Sequence, residues 1–183
     1  MRKSTVVLFN AIAAVLLTFT ASLASAEGSY AEDRAMIEDL QARYLFALDF
    51  RDAEAYAATF TEDGILDYGI GEITGRAAIS AMIDGMRERA QAAAASNTSG
   101  LRPAAGRHNI SNIVLKVDGD KAMGVAYWFH HGNDNAERSS AITSYGHYED
   151  ELRKVNGEWL FSKRKIFNEQ VADWAAKGGN PVR

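Results

Sequence analysis

The 183-residue sequence contains no cysteine. A chain without cysteine has no disulfide framework, no thiolate zinc site, no cysteine nucleophile and no lipid-anchored lipoprotein cysteine. Proline occurs at two positions, 103 and 181, so it interrupts few helices or strands. A basic cluster is also missing, and Lys plus Arg (20) is outnumbered by Asp plus Glu (24), giving a net charge of −4. This balance argues against a nucleic-acid partner.

The composition that is present is that of a globular protein. Hydrophobic residues make up 47% of the chain and charged residues 24%, which excludes a disordered chain. Because domains typically span about 100–200 residues, the length predicts a single domain.

Residues 1–26 have the pattern of a secretory signal peptide. Two basic residues precede an apolar run over 6–17, and residues 24–26 form a small-x-small cleavage site. The apolar run is too short for a typical membrane span, which disfavours the alternative of an uncleaved anchor. We therefore expect a single domain over 27–183 in the periplasm or outside the cell, with no membrane association after cleavage.

Hydrophobic periodicity predicts helices first and strands afterwards. The predicted helices cover 31–49, 53–60 and 76–89. The predicted strands cover 65–68, 109–117, 121–131, 140–154 and 159–168. Turns are predicted at 61–64, 118–120 and 156–157. This order is typical of an α+β fold in which a strongly bent antiparallel sheet curls around three N-terminal helices and leaves one concave pocket. Between helix and strand, residues 92–106 are rich in Ala, Ser and Gly, and form either a mobile lid or a surface linker.

Asp49 and His108 are the residues whose positions the fold does not require. Asp49 ends a helix, where an acid opposes the helix dipole, and Leu45 one turn earlier predicts that it points inward. A half-buried carboxylate needs a partner, which could be local backbone, Arg51 or a distant group. His108 opens the first long strand, either as an ordinary hydrogen-bonded histidine or as a proton-transfer group. Together they predict a pair in which the carboxylate orients and charges the imidazole.

Strand parity separates the other polar candidates. Trp128 and His130 share one face of their strand and His131 the other, so the adjacent histidines cannot easily share a metal ion. Both faces are apolar, and parity alone does not say which faces the pocket. On the last strand, alternating lysines indicate a solvated face, which directs Arg164 and Asn168 inward. The sequence has no phosphate-cradling loop, no nucleophile elbow and no dinucleotide fingerprint, so we predict neither a metal nor a cofactor.

The chain resembles the SnoaL-like branch of the nuclear transport factor 2-like superfamily over about residues 33–170. The resemblance rests on three segments, which read IEDLQARYLFALDFRDAEAYAATFTEDGILDY, GRHNISNIVLKVDGDKAMGVAYW and SYGHYEDELRKVNGEWLFSKRKI. It implies a cone-shaped α+β barrel. This fold hosts many chemistries and some binding modules, so the fold does not define the function.

Within the superfamily, the pattern is most similar to scytalone dehydratase, bile acid 7α-dehydratase and hexachlorocyclohexane dehydrochlorinase, which are cofactor-free lyases with an Asp–His dyad. The resemblance implies that Asp49, His108 and Tyr44 are catalytic. It implies that the substrate-binding residues are Tyr68, Trp128, His130, Tyr148, Arg164 and Asn168. The second histidine of scytalone dehydratase aligns nearer Gly132 than His130, and the arginine of the bile acid enzyme falls at Asn168. These departures argue against an identical substrate.

These observations predict a dehydratase-like lyase for a small hydrophobic or aromatic, ring-containing substrate. An apolar lining that includes Phe46, Trp128 and Ile166 would suit such a ring. Two alternatives remain open: an isomerase or polyketide-type cyclase that uses the same proton abstraction, and a non-enzymatic module that binds a small ligand.

The outer face of the predicted sheet also predicts self-association. Aromatic residues alternate along its strands at Tyr127, Phe129 and Tyr145, and would leave an exposed apolar patch on a monomer. Relatives of the resembled type assemble through this face. We therefore expect a homo-oligomer, a trimer or a dimer.

Overall fold

Three helices pack against one face of a curved six-stranded sheet in the computed structural model, which describes residues 29–69 and 71–183. The helices are α1 (Tyr30–Phe50), α2 (Ala53–Ala58) and α3 (Arg76–Ala95). The strands are β1 (Phe60–Asp67), β2 (Glu72–Thr74), β3 (Gly106–Asp118), β4 (Lys121–Gly132), β5 (Ala141–Val155) and β6 (Glu158–Asn168). The α+β class is therefore as predicted. The predicted signal peptide lies outside the described residues.

Local sequence signals set the ends of the first two helices. The Ser29 side chain accepts a hydrogen bond from the backbone N–H of Glu32, whose carboxylate accepts one from Ser29, so α1 begins with a capping box. It ends at Arg51, whose φ of 55° is left-handed. Asp52 then caps α2 by accepting a hydrogen bond from the backbone N–H of Ala55. These caps place the last turn of α1 at a fixed point against the sheet.

The strand order is β2-β1-β6-β5-β4-β3, and the sheet is not closed, since β2 and β3 form its two edges among the described residues. Four of the five pairings are antiparallel, but β1 pairs with β6 in parallel. The predicted antiparallel sheet therefore contains one parallel pairing. β1 pairs with β6 because α2 brings the chain back to the sheet next to β6, which is the last strand in the sequence.

The turn predicted at residues 61–64 is instead part of β1. Phe60 and Thr61 are both buried, and the register against β6 shifts between Phe60 and Ile65, as a bulge requires. Gly64 is there because space is short: a Cβ would lie 2.8 Å from the Cβ of Phe60. The glycine that favoured a turn is required for close packing inside a bulged strand. The predicted turns at 118–120 and 156–157 do connect β3 to β4 and β5 to β6.

The core lies between the helices and the inner face of the sheet, and it is aromatic. The ring centroids of Tyr44 and Tyr56 are 4.6 Å apart, and Phe161 lies 5.6 Å from Tyr44 and also 5.6 Å from Phe60. All four side chains are essentially inaccessible to solvent. This cluster fixes α1 and α2 on the sheet, and two of its members, Tyr44 and Tyr56, line the site described next.

Candidate active site

Asp49 and His108 contact each other across the junction of α1 and β3. Oδ1 of Asp49 lies 2.6 Å from Nδ1 of His108. The backbone N–H of His108 donates to both carboxylate oxygens, at 3.2 Å to Oδ1 and 3.0 Å to Oδ2. The Asp49 side chain is 6% exposed and that of His108 is 23% exposed. The inward-pointing acid therefore has a distant partner, and Arg51 is not that partner.

This contact defines which nitrogen of His108 carries a proton. The carboxylate accepts from Nδ1–H, which leaves the lone pair of a neutral ring on Nε2. The ring lines a cavity of about 240 Å³ on the inner face of the sheet, while Asp49 lies behind it. An oriented imidazole backed by a carboxylate is the arrangement of a general base.

The cavity combines apolar walls with hydroxyl and amide groups. Its apolar lining comes from Leu48, Leu66, Met82, Met86, Trp128, Ile166 and Trp174. Its polar lining, besides His108, comes from Tyr44, Tyr56, Tyr68, Ser144, Tyr148 and Asn168. Such a lining suits a compact apolar molecule with a few oriented polar groups.

Three tyrosines form the floor of the cavity. The Tyr56 hydroxyl donates to that of Tyr44 at 2.7 Å, and the Tyr44 and Tyr148 rings meet edge to face at 6.2 Å. Burial raises the pKa of Tyr44 above its ordinary value, and raises that of Tyr56 and of Tyr148 well above it. All three therefore stay protonated at neutral pH and are hydrogen-bond donors rather than anions.

Arg164 does not line the cavity, contrary to the expectation that it contacts substrate. It is inaccessible to solvent and lies beneath the floor, where its Nε and Nη2 donate to the Asp150 carboxylate at 2.8 and 2.7 Å. The inward direction predicted from strand parity is right, but Arg164 lies two residues deeper along β6 than Ile166. Phe46 is also outside the cavity: it is 68% exposed on the outer side of α1. Tyr44 and Tyr148, whose rings contact the guanidinium, line the cavity in place of the arginine.

His130 lies beside His108 without lining the cavity. The two ring centroids are 4.5 Å apart, and Nδ1 of His130 lies 2.6 Å from the hydroxyl of Thr143. Burial, together with the neighbouring His108, lowers the pKa of His130 below 6.5. On the opposite face of β4, His131 contacts Asn109, as strand parity predicts.

Trp174 is one of several cavity residues that sequence reasoning missed; Tyr56 and Ser144 are others. The chain after β6 turns back so that the Asn168 backbone N–H donates to the Trp174 carbonyl at 3.0 Å. The indole meets the Tyr68 ring edge-on at 5.8 Å. The sequence beyond Gln170 predicts only a loose or helical tail, and no periodic signal places Trp174 over the pocket. By contrast, no residue of the Ala/Ser/Gly-rich segment 92–106 lines the described cavity.

Within residues 29–69 and 71–183, no group of three His, Asp or Glu side chains is placed to hold a metal ion. No helix in the same described part of the chain is long and apolar enough to cross a membrane.

A family model described as SnoaL-like domain matches residues 29–165. No curated protein matches the chain. Among solved structures, a protein of unknown function from Mycobacterium tuberculosis is 27% identical, with 80% of this chain and 82% of that chain covered and a TM-score of 0.63.

Two solved proteins from Novosphingobium aromaticivorans are also similar, each at 25% identity over 83% of this chain. One is described as an NTF2-like protein with a cystatin-like fold, with 86% of its chain covered and a TM-score of 0.61. The other is a proposed scytalone dehydratase, with 94% of its chain covered and a TM-score of 0.60. The matches agree with the resemblance drawn from the sequence.

Proposed function

The chain belongs to the SnoaL-like domain family, and we propose that within this family it is a cofactor-independent lyase that dehydrates a small, ring-containing substrate. The observation that carries the proposal is the 2.6 Å contact between Asp49 and Nδ1 of His108, with the rest of the imidazole at the cavity. The similarity to a proposed scytalone dehydratase supports the same reaction class.

The reaction needs a proton acceptor and a proton donor. Nε2 of His108 takes a proton from a carbon next to a carbonyl group, and the C–H electrons become the new double bond. The Asp49 carboxylate stabilises the imidazolium that forms. The C–O bond to the hydroxyl on the next carbon then breaks, and that oxygen takes the proton from the His108 imidazolium and leaves as water, which returns the ring to its neutral form. A positioned general base typically contributes about 10²–10⁴-fold in rate.

The size and lining of the cavity support a ring-containing substrate. Its volume of about 240 Å³ exceeds the roughly 150 Å³ of an engineered apolar cavity that binds benzene, so it has room for one ring with substituents. The walls offer two indoles and several aliphatic side chains to the ring, while tyrosine hydroxyls and Asn168 can bind its oxygen substituents.

The test uses a panel of cyclic β-hydroxy ketones in deuterated water, followed by mass spectrometry. We expect at least one compound to lose the mass of water, and the loss to disappear in His108→Ala. His131→Ala is the matched control, because that histidine lies on the opposite face of β4 and should retain activity.

Other outcomes would replace the proposal. Deuterium uptake without loss of water would indicate an isomerase or cyclase that shares the proton abstraction. Binding of ring compounds with neither change would indicate a ligand-binding module.

A further inference from the structure

We propose that the cavity contains an oxyanion site in which the Tyr148 hydroxyl is the donor, and that the buried Arg164–Asp150 pair is the positioning device that strengthens this donor. The ligand class is a carbonyl compound or a phenol that is bound with negative charge on its oxygen. The inference rests on the proposed function in one respect: the natural oxyanion would be the enolate formed when His108 removes its proton.

Tyr148 is on the same wall of the cavity as His108. The indole of Trp128 lies between them: its ring centroid is 5.9 Å from that of Tyr148, nearly parallel at 21°, and 6.1 Å from that of His108. The indole N–H donates to the Phe167 carbonyl at 3.0 Å, which holds this wall in place. A substrate ring against Trp128 would therefore lie between a base and a hydroxyl donor.

The Tyr148 hydroxyl is available to a ligand. The Tyr44 and Tyr56 hydroxyls bond to each other, whereas Tyr148 takes part in no side-chain hydrogen bond among the described residues. Its residue is nevertheless 98% buried and lines the cavity. Because Tyr148 lines the cavity, its free hydroxyl can donate a hydrogen bond to an oxygen atom of a ligand bound there.

The guanidinium of Arg164 lies against the faces of three aromatic rings. Its central carbon is 4.1 Å from the Tyr148 ring centroid, 4.2 Å from that of Tyr44 and 3.9 Å from that of Phe161. A cation at this distance stabilises negative charge that develops at the tyrosine oxygens, and so strengthens the hydrogen bonds that they donate. Burial and the neighbouring Tyr44 raise the pKa of Tyr148, and the Arg164 charge opposes that rise more strongly than the Asp150 charge adds to it, without removing the proton.

Stability alone does not account for this ion pair. Both side chains are completely buried, and replacing a buried ion pair with apolar residues of similar volume is often neutral or stabilising. Nη1 of Arg164 is also buried without a hydrogen-bond partner among the described residues, so the pair is not fully satisfied. Its position directly beneath two cavity tyrosines is what an electrostatic role requires.

The experiment compares a charged probe with a neutral probe of similar shape. The charged probe is 4-nitrophenolate, whose absorbance reports ionisation and binding, and the neutral probe is 4-nitrotoluene. Affinities are measured for the wild type, Tyr148→Phe and the double variant Arg164→Met/Asp150→Leu. Tyr127→Phe is the matched control, because Tyr127 is 56% exposed on the outer face of β4.

We expect Tyr148→Phe to bind 4-nitrophenolate roughly 10- to 100-fold more weakly, since a hydrogen bond to a charged group is lost. The double variant should weaken 4-nitrophenolate several-fold and leave 4-nitrotoluene unchanged. A purely structural role for the pair would weaken both probes equally, and that result would overturn the positioning role. Unchanged phenolate binding in Tyr148→Phe would overturn the oxyanion site.

This proposal and the proposed lyase can fail separately. His108→Ala should retain 4-nitrophenolate binding and lose proton abstraction. Phenolate binding that depends on Tyr148, in a protein that abstracts no proton from any ketone, would overturn the lyase and support the site. Dehydration that is unaffected in Tyr148→Phe would do the reverse.

Discussion

Asp49 binds His108 twice: its carboxylate accepts from the backbone N–H of His108 and lies 2.6 Å from Nδ1 of the same residue. The two contacts have different consequences. The backbone contact ties the start of β3 to the end of α1, and the ring contact orients the imidazole. A single carboxylate thus holds both the strand and the side chain that the proposed chemistry needs.

The orienting role of Asp49 predicts that Asp49→Asn lowers turnover by roughly 100-fold or more, because the amide cannot stabilise an imidazolium. The amide oxygen can still accept from the His108 backbone, so the fold should survive. Steady-state kinetics on the substrate found above measures the effect. The double variant with His108→Ala should be no slower than His108→Ala, because Asp49 acts through the imidazole. Full turnover in Asp49→Asn would show that the carboxylate is structural.

The position of His130 predicts an acid-shifted histidine. Burial and the neighbouring His108 lower its pKa below 6.5, so its ring is neutral at pH 7 and becomes charged only in more acidic solution. NMR titration of the histidine ring protons measures this value. In His108→Ala the His130 pKa should rise toward 6.5, because part of the desolvation and the electrostatic influence of the neighbouring ring are both lost. A His130 that titrates above 6.5 in the wild type would contradict the packing described.

Trp174 lines the cavity from the chain segment after β6, and we therefore expect its indole to limit the size of the ligand. We expect Trp174→Ala to bind two-ring compounds more tightly relative to one-ring compounds, and Trp174→Phe to resemble the wild type. Isothermal titration with a matched pair of ligands measures the ratio. An unchanged ratio would show that the indole does not limit ligand size.

Gly69 provides an independent test of the same closure. Its φ is 88°, and a Cβ there would lie 2.3 Å from the indole of Trp174. Gly69→Ala should therefore displace this indole and shift tryptophan fluorescence toward the red. The other two tryptophans, Trp128 and Trp159, are buried and should not contribute to the shift.

A buried carboxylate far from the cavity predicts how stability depends on pH. Asp33 accepts from Nζ of Lys154 and from the Trp159 indole N–H. Desolvation opposes its charge, but these hydrogen bonds outweigh it and hold the Asp33 pKa below 3.8. The stabilisation should be complete above the unfolded-state pKa and be lost as the pH falls through the lower folded-state pKa.

Asp33→Asn should therefore reduce the free energy of unfolding at pH 7 by about 1–3 kcal/mol, and the difference from wild type should shrink below about pH 4. Urea unfolding across this pH range measures it. A difference that does not change with pH would show that the lost contribution is not electrostatic.

Assembly into a homo-oligomer through the outer face of the sheet stays a prediction. Met123, Tyr127 and Tyr145 are each more than half exposed there. Burial of this apolar surface between copies would stabilise a dimer or trimer. Sedimentation velocity at micromolar concentration should show an oligomer in the wild type and a smaller species in Met123→Glu. A wild-type monomer would overturn the expectation.

The sequence determined what is encoded locally. Apolar spacing predicts α1, α3 and the four long strands, and short polar signals such as Asp52 and Asn156-Gly157 mark a cap and a turn. Strand parity also separates His130 from His131 correctly. These features follow from backbone dihedral preferences and from side-chain periodicity, both of which act within a few residues.

The tertiary structure decided everything that depends on how these elements meet. The parallel pairing of β1 with β6 turned a predicted turn into a bulged strand, because long-range hydrogen bonds outweigh a local turn preference. Packing put Arg164 beneath the tyrosines and Trp174 against the cavity. Strand parity predicts only that a side chain points inward, and it does not distinguish a residue that lines the cavity from one buried beneath it. The 2.6 Å contact of Asp49 with His108 joins residues 59 positions apart, and their separation is set by the angle between α1 and the sheet. No local pattern encodes that angle, because it results from the shape of the whole aromatic core.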